Sequence, residues 1–115
     1  MLPLLNFETN LYLLYAAIHR FFSHAGLYTI SRADDYVKIV TAEGSFLKKR
    51  TMNFFEQSLS VYHFVRIHRS YIVNTQLITR IDVYEEDSHH VLLTTGAKLP
   101  ASKTGYVKLK DVLGI

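Results

Sequence analysis

Phe64-Val65-Arg66-Ile67-His68-Arg69-Ser70-Tyr71-Ile72-Val73-Asn74 is the stretch on which the fold of this chain depends. In its first half, the apolar residues Val65 and Ile67 alternate with polar ones, which is the two-residue period of a strand with one buried and one solvent-exposed face. Its second half resumes a β-branched and aromatic run that ends at an asparagine. The stretch therefore predicts strand structure on both sides of a polar break.

The polar break, His68-Arg69-Ser70, presents an imidazole, a guanidinium and a hydroxyl side by side. These groups can contact phosphates or the edges of nucleic-acid bases. A simpler interpretation is that the three side chains occupy the wet side of a strand or turn, because charged side chains are exposed by default. The residues of this stretch alone leave both interpretations open.

Composition indicates a single globular domain of 115 residues, in which 49% of residues are hydrophobic and 20% are charged. Eight tyrosines and seven phenylalanines favour strands over a helical bundle. The chain has no cysteine, which excludes a disulfide framework and thiolate chemistry and fits a reducing cytosol. Residues 1–10 lack a basic signal-peptide region, and the apolar run Leu11–Ile18 is too short to span a membrane. We expect a cytoplasmic protein with no membrane contact.

The charges are unevenly distributed around a net charge of +3. Residues 57–81 contain arginines and no acid, residues 88–110 contain lysines and no acid, and the acidic residues of 82–87 lie between them. If the two basic stretches fold side by side, they give one basic face, which suits a polyanionic partner. Ordinary solvated surface is the alternative interpretation of this pattern.

Hydrophobic periodicity predicts a mostly β domain built from hairpins, with one or two short helices. A turn is expected at Asp34-Asp35, and residues 102–105 are expected to form a polar loop. A helix over 51–59, capped by Thr51, should lie on the sheet with an apolar face. A last short helix over 106–113 should point Val107 and Leu113 inward. The strands are expected at 27–30, 36–41, 45–50, 77–84, 90–95 and 97–100. The last should be an edge strand or end at Pro100, because proline cannot donate to a ladder.

Residues 11–22 are open to two interpretations. Leu11, Leu14 and Ile18 fall at helical spacing after a possible Asn10 cap, which favours a helix. The segment is so uniformly apolar that two short buried strands fit it as well.

The sequence lacks the patterns that carry most enzyme chemistry: a Gly-rich phosphate loop, a zinc-type Cys/His pattern and a Gly-x-Ser-x-Gly elbow. Its six histidines do not form a helical i, i+4 pair, and the adjacent His89 and His90 would point to opposite faces of a strand. The pairs Asp34/Asp35 and Ser70/His68 are explained more simply as turn and surface residues. We expect no metal site, no cofactor and no enzymatic activity.

Four segments of the chain, taken together, resemble the LytTR DNA-binding domain of bacterial response regulators. They occur in the family's order and spacing over residues 27–113. The segments are Tyr28-Thr-Ile-Ser-Arg-Ala-Asp-Asp-Tyr-Val-Lys-Ile39, Lys49-Arg-Thr-Met52 with the helix that follows it, Phe64–Asn74 with its central His-Arg-Ser-Tyr-x-Val-Asn string, and Lys98-Leu-Pro-Ala-Ser-Lys103. The resemblance divides the chain into an N-terminal segment, 1–26, that carries the first strands of the same domain, and the LytTR-like DNA-binding domain, 27–115.

The resemblance implies an elongated arrangement of short antiparallel sheets, with strands rather than a helix in residues 11–22. It implies a transcriptional regulator that binds imperfect direct repeats in double-stranded DNA, with a possible homodimer on the repeated sites. The loops that enter successive major grooves would be 33–37, 68–70 and 102–104. The residues before 27 are too few for a receiver domain, so we expect a stand-alone regulator or an excised domain of a two-component system.

Roles for individual residues follow from the same resemblance. Arg69 and Lys103 would enter the grooves, and Ser70, Ser102 and Thr104 would fix the register or contact phosphate. His68 and Asn74 would hold the loop through bonds from side chain to backbone. Phosphate attraction would come from Lys38, Lys48, Lys49 and Lys108.

Two departures from a simple basic surface bear on these roles. The acid pair Asp34-Asp35 repels phosphate and could only accept a hydrogen bond from a base amine. Lys103 stands where the family often has arginine and lacks the two-pronged fork that suits guanine. A protein-interaction or ligand-sensing module that keeps the fold without DNA binding is the alternative function.

Overall fold

The computed structural model of the chain describes residues 26–59, 63–85 and 88–115. The predicted choice between helix and strands for residues 11–22 lies outside these residues, as does most of the predicted N-terminal segment. The described chain forms two antiparallel sheets and two short α-helices, so the predicted mostly β fold class is confirmed.

Five strands form the larger sheet: β1 Leu27–Ala33, β2 Tyr36–Thr41, β3 Gly44–Lys48, β4 Phe64–His68 and β5 Tyr71–Asn74. Their order across the sheet is β3-β2-β1-β5-β4. Three strands form the smaller sheet, in the order of β6 Ile78–Glu85, β7 Ser88–Leu93 and β8 Lys98–Ala101. Helix α1 spans Met52–Ser58 and helix α2 spans Lys103–Leu113, and a short 3-10 turn over Thr75–Leu77 links the two sheets.

The β4–β5 hairpin contributes side chains to two separate apolar cores. On one face, Phe64 and Ile72 pack into the core that contains helix α1. On the other face, Val65, Ile67 and Val73 pack into the core that contains the smaller sheet and helix α2. The predicted wet face of β4 is therefore wrong, because α1 covers it, and Phe64 on that face is 8% exposed.

Each core is completed by residues from neighbouring elements. The first contains side chains of β1, β2 and α1, namely Leu27, Ile30, Val37, Ile39, Met52 and Phe55, together with Leu59. The second contains Val91, Leu93, Ala101 and Leu109.

Helix α1 begins where its sequence predicts. The Thr51 hydroxyl accepts a hydrogen bond from the N–H of Phe54 at 3.0 Å and so caps the first turn. Met52, Phe55 and Leu59 are all buried against the larger sheet, as their spacing of three and four residues requires. The predicted capped helix lying on the sheet is confirmed.

Helix α2 begins earlier than predicted. Ser102 is its N-cap and Lys103 is its first residue, so the predicted loop over 102–105 is wrong. The buried face consists of Gly105 and Leu109, whereas Val107 is 61% exposed and Leu113 is 37% exposed, so the predicted inward face is also wrong. The reason is a close approach to β4: a Cβ atom on Gly105 would lie 1.9 Å from the carbonyl oxygen of Ile67.

The turns between strands follow the sequence closely. Asp34 and Asp35 form the predicted turn between β1 and β2, and Asp34 has a left-handed backbone with a φ of 55°. Pro100 lies in β8, at an edge of the smaller sheet, as predicted. Strand β1 runs three residues further than predicted, and pairs with β5 through Thr29 and Val73.

The double-sided burial of the hairpin predicts the effect of truncating Ile67, which is fully buried. We expect Ile67→Ala to lower the free energy of unfolding by about 2–5 kcal/mol, because it leaves a cavity in the second core. Leu47→Ala, on the exposed strand β3 where Leu47 is 58% exposed, should change it by less than about 0.5 kcal/mol. Urea unfolding measures both, and similar midpoints for the two variants would contradict the double-sided packing.

Candidate functional site

Three chain segments meet at one end of the larger sheet. The N–H of Arg32, at the end of β1, donates to the carbonyl of Ser70 at 2.9 Å, which places the β1–β2 turn beside the β4–β5 turn. The N–H of Ser102 donates to the carbonyl of Ile67 at 2.8 Å, which places the start of α2 on the other side of the β4–β5 turn. The predicted segments 33–37, 68–70 and 102–104 are therefore neighbours. We call these three segments together the loop face.

The central turn of the loop face is stabilised by its own side chains. Nδ1 of His68 accepts a hydrogen bond from the N–H of Ser70 at 3.1 Å, which requires this nitrogen to be unprotonated. The His68 ring also lies against Tyr71, with 5.5 Å between ring centroids. Arg69 lies between the two bonded residues with an exposed side chain. The turn therefore presents an arginine to solvent from an ordered backbone.

The start of helix α2 supplies the third segment. The Ser102 hydroxyl accepts from the N–H of Gly105 at 3.0 Å and lies 3.4 Å from the carbonyl oxygen of Ile67, so its bonds are those of a helix cap joined to β4. Lys103 and Thr104 follow in the first helical turn and are exposed. This turn contains no acidic residue. A helix N-terminus carries partial positive charge, so the segment favours an anionic partner.

The predicted phosphate-attracting lysines lie at different places around this end of the sheet. Lys48 pairs with Val37 at the end of β3, so Lys48 and Lys49 lie at the same end of the sheet as the loop face. Lys38 is exposed on β2, next to the buried Val37 and therefore on the opposite face of the strand. Lys108, on α2, has its Nζ 3.6 Å from a carboxylate oxygen of Glu56.

Asn74 lies at the other end of β5 from the loop face. Its Nδ2 donates to the carbonyl of Leu27 at 3.0 Å, and its Oδ1 accepts from the N–H of Gln76 at 3.0 Å. These bonds hold the start of β1 and the turn that follows β5. The sequence had suggested that Asn74 holds the 68–70 segment. Its bonds instead support the far end of the sheet.

Sequence reasoning missed a group of arginines beside the loop face. Arg32, Arg50 and Arg66 line a hollow of about 360 Å³ that Asp34 and Asp35 also line. The acid pair therefore lies beside three arginines. A basic residue two positions before the acidic turn was the available signal for Arg32. Arg66 was expected only as an exposed strand residue.

Two further features concern the described part of the chain. Its histidine, aspartate and glutamate side chains form no group of three or more that could hold a metal ion. Neither of its helices is long and apolar enough to cross a membrane.

Residues 20–114 match the family described as the LytTr DNA-binding domain. The sensory transduction protein LytT of Bacillus subtilis is 32% identical over 82 residues, which cover 71% of this chain and 34% of that protein. The transcriptional regulatory protein LytR of Staphylococcus aureus is 30% identical over 77 residues, which cover 67% of this chain and 31% of that protein.

A solved structure shows the same fold. The LytTr DNA-binding domain of a response regulator from Bacillus cereus superposes with a TM-score of 0.72 at 23% sequence identity, covering 79% of this chain and 84% of that one.

The two sheets, the two helices and the three adjoining segments define a class of mostly β domains that present loops at one end of a sheet. The chain belongs to the LytTR family within that class, as its sequence motifs indicated. It spans about a third of the length of the curated relatives, 34% of LytT and 31% of LytR.

The close approach of α2 to β4 predicts an unusual response to Gly105→Ala. Helix propensity alone predicts that alanine stabilises α2 by about 1 kcal/mol. We expect the opposite sign, a loss of about 1–3 kcal/mol, because the added methyl group would collide with the backbone of Ile67. Chemical denaturation measures the change. Val107→Ala, at an exposed position of the same helix, serves as the control, and a stabilised Gly105→Ala variant would rule out the close contact.

Proposed function

We propose that the chain binds double-stranded DNA in a sequence-specific way, through its loop face, as part of a bacterial transcriptional regulator. The observation that carries this proposal is the adjacency of the three loop-face segments, which two backbone hydrogen bonds join at 2.8 and 2.9 Å. Adjoining exposed loops can present their side chains to one DNA duplex at a fixed spacing, which separated loops cannot do. Membership of a family described as a DNA-binding domain supports the same function.

Arg69 is the residue proposed to read a base. Its exposed guanidinium lies at the tip of the β4–β5 turn, and an arginine fork can donate two hydrogen bonds to guanine in the major groove. Lys103 is proposed to enter the groove as a point charge, with weaker discrimination between bases. Ser70 and Thr104 fix the register through phosphate, and Ser102 holds the start of α2 in place.

The lysines supply attraction that does not depend on sequence. Lys48 and Lys49 lie at the loop-face end of the sheet, and Lys38 and Lys108 extend the positive charge to either side. Neutralised phosphates release counterions, so their contribution weakens as salt rises.

The DNA site proposed for the chain is a pair of direct repeats. The loop face of one copy would enter successive major grooves, and a second copy would occupy the neighbouring repeat as a homodimer on DNA. The chain would act as a binding module rather than an enzyme. It would act in the cytoplasm, in agreement with its lack of cysteine.

Truncation of Arg69 tests base reading. The probes are a duplex enriched by the chain from a random pool and a shuffled duplex of the same composition. We expect Arg69→Ala to weaken binding to the enriched duplex by about 1–3 kcal/mol, with a much smaller effect on the shuffled one. Fluorescence anisotropy titrations give both affinities.

Arg80→Ala is the matched control, since Arg80 is an exposed arginine on β6. It should leave both affinities nearly unchanged. An equal loss on the two duplexes for Arg69→Ala would make Arg69 a phosphate contact.

Salt dependence tests the phosphate contacts. A plot of log affinity against log salt concentration should be linear, and Lys49→Gln should reduce its slope by about 0.9 if Lys49 neutralises one phosphate. Lys98→Gln, at the end of β8 away from the loop face, should not change the slope. Binding that is undetectable or insensitive to salt would favour a protein-interaction or ligand-sensing module instead.

A further inference from the structure

We propose that Arg66 and Glu56 form a clamp that positions the Arg69 turn and thereby sets how well the loop face discriminates between DNA sequences. The clamp rests on the proposed function, because it assigns positioning residues to the same interface. Neither residue needs to touch a base for this role.

The guanidinium of Arg66 joins helix α1 to the turn. Its Nη1 donates to Oδ1 of Asn53 at 2.6 Å and to Oε1 of Glu56 at 3.0 Å. Its Nη2 donates to the carbonyl oxygen of Arg69 at 2.6 Å. The guanidinium is planar and rigid, so bonds in these directions fix the turn relative to α1.

Glu56 extends the clamp to helix α2. One carboxylate oxygen accepts from Arg66, and the other lies 3.6 Å from Nζ of Lys108. The Arg66 side chain is 19% exposed and the Glu56 side chain is 37% exposed, so this ion pair is partly shielded from water. The carboxylate therefore connects the three elements that border the central turn: α1, β4 and α2.

The bond to the Arg69 carbonyl gives the clamp its influence on recognition. Base reading by two parallel hydrogen bonds requires a side chain that starts from a fixed backbone position. Within the turn, His68 holds the N–H of Ser70, and Arg66 holds the preceding carbonyl. Loss of the bond from Arg66 would leave the Arg69 side chain intact, but the backbone position from which that side chain extends would vary.

Glu56 also has an electrostatic effect of a different kind. Its carboxylate lines a hollow of about 300 Å³ together with Arg69, Ser102, Thr104 and Lys108. A negative charge at this place repels any DNA backbone, whatever its sequence. The geometry of the clamp should therefore determine the ratio of the affinities for the enriched and the shuffled duplex. The charge of Glu56 should raise or lower both affinities together.

Three substitutions separate these effects. Glu56→Gln keeps an oxygen acceptor for Arg66 and removes the charge, so both duplexes should bind more tightly, by roughly two- to fivefold, at an unchanged ratio. Glu56→Ala also removes this oxygen acceptor and leaves Asn53 as the acceptor for Nη1 of Arg66, so the ratio of affinities should fall part of the way toward that of Arg69→Ala. Arg66→Lys keeps the charge but loses the planar fork. The ratio of the affinities for the two duplexes should therefore fall in this variant, and the slope of log affinity against log salt concentration should not change.

Anisotropy titrations with the enriched and shuffled duplexes measure all three variants. Urea unfolding of each variant shows that the folded chain is being compared, and Glu43→Gln, in the exposed β2–β3 turn, controls for the removal of a carboxylate. An unchanged ratio in both Glu56→Ala and Arg66→Lys would overturn the clamp alone. A wild-type chain that binds the two duplexes equally would overturn the proposed function, and the clamp with it.

Discussion

Burial of the β4–β5 hairpin on both faces is the constraint on which the rest of the structure depends. Phe64 and Ile72 require helix α1 on one side, and Val65, Ile67 and Val73 require the smaller sheet and α2 on the other. The two cores therefore share the hairpin, and each uses the side chains of one of its faces. Because the hairpin is fixed from two sides, the turn at its end is fixed as well, and the neighbouring segments take their positions from it.

Local patterns in the sequence were sufficient for most of the elements. Period-two alternation located the strands, and the Thr51 cap with its apolar spacing located α1. The errors arose where tertiary contacts decide. Alternation could not show that α1 covers the polar face of β4, where Arg66 lies half-buried and donates from Nη1 and Nη2. Gly105 was interpreted as a loop residue, but its missing side chain serves a close helix contact.

The candidate site was predictable as three separate segments, and only the fold shows that they adjoin. Ser102 meets Ile67 across 35 positions of sequence through a backbone bond. Glu56 meets Arg66 across ten positions, with nothing in either local pattern to pair them. The bond of Asn74 to Leu27, 47 positions away in the sequence, was equally invisible in the local pattern. Long-range pairing of this kind has no local signal.

The pairing of β1 with β5 has a consequence for how the chain is made. Strands β1, β2 and β3 are complete by Lys48, but the partner of β1 spans Tyr71–Asn74. During synthesis from the N-terminus, β1 therefore leaves the ribosome with an unpaired edge, which persists until the later hairpin follows. Pairing of β1 with β5 joins residues about 40 positions apart, and non-local pairing of this kind slows folding in general. An unpaired strand edge can pair with another chain, so the sequence order of the strands gives the nascent chain an aggregation-prone edge in that interval.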